Sequence, residues 1–71
     1  MVEYEGIYQG SRPVTPGIDM WYMRIELDNG ETKTLRQYFD YIDDCRKSLN
    51  LKVGDRVRII EKPDNWNISK V

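Results

Sequence analysis

A chain of 71 residues supports one core only, because a domain of this size buries just ~60% of its unfolded surface. With one cysteine and no histidine, an internal disulfide is excluded, no zinc ligand set exists, and the commonest general base and nucleophile activator are missing. A net charge of −1 and a pI near 5.3 argue against a strong nonspecific grip on phosphate backbones.

Taken in chain order, Val2-Glu3-Tyr4-Glu5-Gly6-Ile7-Tyr8 predicts a first strand with a bend or bulge at Gly6. Two prolines between flanking glycines predict the longest loop over 10–17. Residues 18–28 form the clearest strand. Trp21, Met23, Ile25 and Leu27 share one face, and Met20, Tyr22, Arg24, Glu26 and Asp28 the other. Asn29-Gly30 predicts a two-residue type I′ hairpin turn. Counting outward from that turn sets Leu27 opposite Thr32 and Ile25 opposite Thr34, with a charge-matched Glu26–Lys33 pair on the outer face.

From Leu35 the apolar period becomes helical, with Leu35, Tyr38, Phe39, Ile42, Cys45 and Leu49 on one stripe. This predicts a buried Tyr38, a buried core thiol at Cys45 and an exposed Tyr41. Thr34 and Gln37 fit a capping box, with Asp40 as the alternative cap and Asn50 as terminator. Asp40, Asp43 and Asp44 precede Arg46 and Lys47, as the helix macrodipole favours, so the carboxylates read as a helix start and not as catalytic groups. They also lack the spacing of a calcium loop. A turn at residues 52–55 then leads into a fourth strand with Val57 and Ile59 inward and Arg56 and Arg58 outward. Lys62-Pro63-Asp64-Asn65 makes a turn, and residues 66–71 close the chain as a fifth strand. Trp21, Ile25, Leu27, Phe39, Ile42, Val57, Ile59 and Trp66 are the expected core.

Three strands, a helix and two strands over a single domain, residues 1–71, predict an all-β fold with one helix, a small five-stranded OB-like barrel. An SH3-like barrel is the alternative. The runs Val2 to Arg12, Ile25-Glu-Leu-Asp-Asn-Gly30 and Leu51-Lys-Val-Gly-Asp-Arg-Val-Arg-Ile59 resemble the S-one type of RNA-binding OB domain. That resemblance implies an OB fold and an RNA ligand. Where the family carries a glycine-aromatic step in strand two, this chain has Trp21-Tyr22-Met23.

In OB folds the ligand lies on the outer face of strands two and three and on the loops after strands one and four. Here that surface holds Tyr22, Arg24, Lys33, Arg36 and Arg12, extended by Met20, Arg56, Arg58 and Lys62. A ring to stack a base and cations to follow phosphates suit single-stranded nucleic acid, RNA or DNA. The alternative is a protein-interaction or inhibitory accessory module, because tyrosine is favoured at interface cores. No enzymatic activity, cofactor, metal or membrane contact is expected, and the absence of basic and apolar leader regions at the N-terminus suggests a cytoplasmic protein.

Overall fold

In the computed structural model, all 71 residues of which are described, the long first strand organises the rest. The elements are β1 (Val2–Pro13), β2 (Met20–Leu27), β3 (Thr32–Tyr38), α1 (Phe39–Leu49), β4 (Arg56–Glu61) and β5 (Trp66–Lys70). The five strands make one antiparallel sheet in the order β3-β2-β1-β4-β5. The first half of β1 pairs with β4, from Val2↔Glu61 to Ile7↔Arg56, and the second half pairs with β2, from Gly6↔Leu27 to Pro13↔Trp21.

Gly6 sits where β1 is paired on both sides, and a Cβ there would lie 2.5 Å from the Glu26 carbonyl oxygen and 2.7 Å from Ile25 Cγ2. Its glycine is therefore required by close approach of two backbones, not by the bulge expected at that position. The bulge lies three residues further on. Pairing jumps from Tyr8↔Ile25 to Gly10↔Arg24, leaving Gln9 as the extra residue, and Gly10 takes φ 120°. Residues 10–13, expected in a loop, continue the strand. Proline is tolerated because Pro13 is the last β1 residue paired with β2.

The β2–β3 connection is also one residue longer than expected. Leu27 N–H donates to the Glu31 carbonyl at 2.8 Å, Gly30 N–H donates to the Leu27 carbonyl at 3.0 Å, and only Gly30 has positive φ in the turn. This is a three-residue loop, a type I turn followed by a left-handed glycine, with the Glu31 N–H donating to Asn29 Oδ1 at 2.9 Å. A one-residue slip exchanges the faces of a strand. Met23 therefore pairs with Leu35, Ile25 with Lys33, and Glu26 with Thr32. The Glu26–Lys33 pair is absent, and Lys33 turns to the inner side. There its ammonium lies 5.4 Å over the Tyr4 ring and 3.6 Å from Glu61.

Because β3 runs on to pair Tyr38 with Met20, the helix starts at Phe39 with neither expected cap. Gln37 Oε1 accepts the Tyr38 N–H at 2.9 Å, and the Asp19 carbonyl accepts the Phe39 N–H at 2.7 Å. Tyr38 thus follows strand alternation and is 62% exposed, contrary to the helical stripe. Tyr41, expected outside, is half-buried. Its hydroxyl donates to the Trp66 carbonyl at 2.6 Å, and its ring meets Trp66 edge-on at 5.2 Å. Asn50 ends the helix in the left-handed conformation, as expected. Cys45 is only half-buried against the core. Burial, then the Asp44 charge, pushes its thiol above the usual range.

The core comprises Tyr8, Met23, Ile25, Leu35, Ile42, Val57, Ile59 and Trp66. Trp21 and Leu27 pack partly buried against it, and Trp21 meets Phe39 at 4.9 Å between ring centroids. No backbone ladder joins the edge strands β3 and β5. Side chains cross that gap: Trp66 Nε1 donates to the Arg36 carbonyl at 2.9 Å, and Gln37 Nε2 donates to Asn65 Oδ1 at 2.9 Å. No helix is long and apolar enough to cross a membrane.

Candidate functional site

Strand alternation and the β1 bulge together build the outer face of β1, β2 and β3. Tyr8 is buried, so an unbroken strand would turn Gly10 and Arg12 inward with it. The extra residue at Gln9 reverses that parity. Arg12 consequently pairs with Tyr22, which pairs on its other side with Arg36. The result is a row across three strands, a tyrosine between two arginines. One pleat along, Arg24 lies between Gly10 and Thr34. A shallow groove of ≈ 480 Å³ runs over this surface, lined by Val14, Tyr22, Arg24, Thr32, Thr34 and Arg36.

The charges sort the basic residues further. Of the chain's 11 lysines and arginines, Lys33, Lys47, Arg56, Arg58 and Lys70 form ion pairs. The other six form none; Arg12, Arg24 and Arg36 lie together on the outer face, whereas Arg46, Lys52 and Lys62 are scattered over the helix and the turns. Arg56 binds Asp28 at 2.9 Å and Glu5 at 3.2 Å. Arg58 binds Glu5 at 2.9 Å and Glu3 at 3.4 Å. The Arg58 and Arg56 guanidinium groups hold the Glu5 carboxyl below its ordinary range, and Arg56 does the same for Asp28. Arg56 and Arg58 thus have their charge answered within the fold.

Of the residues expected at the site, the structure groups Arg12, Tyr22, Arg24 and Arg36. It removes Lys33 to the inner side and commits Arg56 and Arg58 to acidic partners. Met20 is half-buried at the end of the face, opposite Tyr38. Lys62 is exposed in the β4–β5 turn, where it and Arg36 border a second groove of ≈ 490 Å³ with Asn65 and Trp66. Arg36 therefore belongs to both grooves. Thr32 and Thr34, which sequence reasoning missed as lining groups, reach the outer face through the shifted register. Glu26 stands on the same face opposite Thr32, and no cation pairs with it. Three guanidinium groups around an accessible ring can engage a polyanion bearing flat bases. No group of three His, Cys, Asp or Glu side chains is placed to hold a metal ion. No protein-family model, curated protein or solved structure matches the chain.

Proposed function

We propose that this chain is a non-catalytic, OB-like binding module that takes single-stranded nucleic acid across the outer face of β1, β2 and β3. The observation that carries the reading is the Arg12–Tyr22–Arg36 row with Arg24 beside it, whose cations take no part in the ion pairs of the fold. Three cations without partners gathered on one face leave that face free to answer the charge of a ligand. The OB-like assignment is supported by the order β3-β2-β1-β4-β5, with the helix between β3 and β4 and a partly open barrel as its expected form. Tyr22 stacks a base and the three arginines follow the phosphates.

A protein partner is the second reading, favoured by exposed Val14 and Ile18 in the loop that leads to Met20 and Tyr22. Fluorescence anisotropy with a labelled mixed-sequence single strand, at low and high salt, separates the two. On the nucleic-acid reading, Tyr22→Ala loses ~1–3 kcal/mol of binding through lost stacking. Absence of binding by the native chain below about millimolar concentration at low salt rejects that reading, since even nonspecific contacts reach this range. The same surface then stands as a protein-docking face.

A further inference from the structure

The five tyrosines divide by what their side chains touch. Tyr8 is buried, and its hydroxyl shares a 2.7 Å hydrogen bond with Ser11 Oγ. Tyr41 is bonded to and packed on Trp66, and Tyr4 packs against the core beneath the Lys33 ammonium. Tyr22 and Tyr38 have neither a hydroxyl hydrogen bond nor a ring partner, and both belong to the outer face of the β2–β3 hairpin.

Their placement is specific. Tyr22 pairs with Arg36 and Met20 pairs with Tyr38, so Tyr38 is the diagonal neighbour of Tyr22. Backbone bonds from Leu27 to Glu31 and from Phe39 to Asp19 mark the ends of the ladder as hydrogen-bonded positions. By alternation, Tyr22↔Arg36 and Met20↔Tyr38 are non-hydrogen-bonded pairs, where facing side chains come closest. Diagonal neighbours in such a ladder lie ~7–8 Å apart. A flat base held between two rings needs ~3.5 Å of contact distance on each side, so two rings standing side by side from residues at that spacing have room for one base between them.

We propose that Tyr22 and Tyr38 form a two-ring clamp that holds one base of a bound single strand, with Arg36 and Arg12 taking the adjoining phosphates. This rests on the nucleic-acid reading above and adds Tyr38 as a binding residue. Helical periodicity concealed it by assigning Tyr38 to the core. The exposed position of its ring means that Tyr38→Ala keeps the fold.

The test is a double-mutant cycle on native chain, Tyr22→Ala, Tyr38→Ala and the double variant, titrated against a labelled mixed-sequence strand of about ten nucleotides. Thermal melts of each variant verify folding. Each single variant is expected to bind about 5- to 150-fold more weakly, Tyr38→Phe to bind as the native chain does, and the double variant to lose little beyond either single one. An unchanged affinity in Tyr38→Ala overturns the clamp. Fully multiplicative losses in the double variant overturn it too, because two independent platforms give that result. In both cases the proposed nucleic-acid function stands, whereas failure of the native chain to bind any strand overturns the function itself.

Discussion

The division between free and paired arginines makes a quantitative prediction about salt. Each phosphate neutralised on a single strand contributes about −0.7 to the slope of log affinity against log salt. Arg12, Arg24 and Arg36 therefore give a slope of about −2.1, a loss of about 18-fold between roughly 50 and 200 mM salt. Arg24→Ala removes one contact, and the slope becomes about −1.4, a loss of only about 7-fold over the same range. Arg58→Ala is the counter-experiment. Its guanidinium is held by Glu5 and Glu3, so no counterion of the nucleic acid is released through it, and the slope should remain near that of the native chain. Anisotropy titrations at four or more salt concentrations give each slope. Equal changes in slope for Arg24→Ala and Arg58→Ala would refute the assignment of the outer face as the charged binding surface.

Gly6→Ala drives a Cβ to 2.5 Å from the Glu26 carbonyl oxygen, which the β1–β2 ladder prevents from retreating. Overpacking of this kind costs ~1–3 kcal/mol, against ~3–5 kcal/mol of total stability for so small a core. The melting temperature should fall by at least ~5 °C, and an unchanged melt contradicts the close-approach role. Trp66→Phe keeps an aromatic ring in the core but removes the indole N–H that reaches the Arg36 carbonyl. A loss of ~1–3 kcal/mol in urea unfolding is expected from the unmet bond and reduced packing, and equal stability dismisses Trp66 as the link across the β3–β5 gap. Acid should weaken the fold through Glu5, Asp28 and Asp55, all held below their ordinary range by arginine, Lys52 N–H or Lys70 contacts. A lowered folded-state value means stability present above the unfolded carboxylate range of about pH 4 and lost as pH falls through the lowered values. The urea midpoint should thus drop below about pH 4, and a midpoint that rises there would contradict these contacts.

Local pattern was sufficient where one residue's neighbours decide its side. The alternation of 20–28 puts Tyr22 and Arg24 opposite Met23 and Ile25, and burial of Met23 and Ile25 agrees, because a strand half-covered by a core needs only period two. Asn50 likewise ends the helix by its own tolerance of left-handed backbone. What tertiary structure decided is where strands meet. Asn29-Gly30 serves both a two-residue and a three-residue turn, and only the meeting of Met23 with Leu35 in the core selects the second. That choice moves Lys33 inside and Thr34 outside. The bulge at Gln9 is likewise not set by alternation along β1, which pairs with both β4 and β2, yet it carries Arg12 to Tyr22. Tyr38 fits a helical stripe and a strand equally well by spacing, and the continuation of the β2–β3 ladder to Met20 resolves it as a strand residue. Residue types and alternation thus defined the candidates, while register, bulge and ion pairing, which depend on residues distant in sequence, decided which of them share a surface.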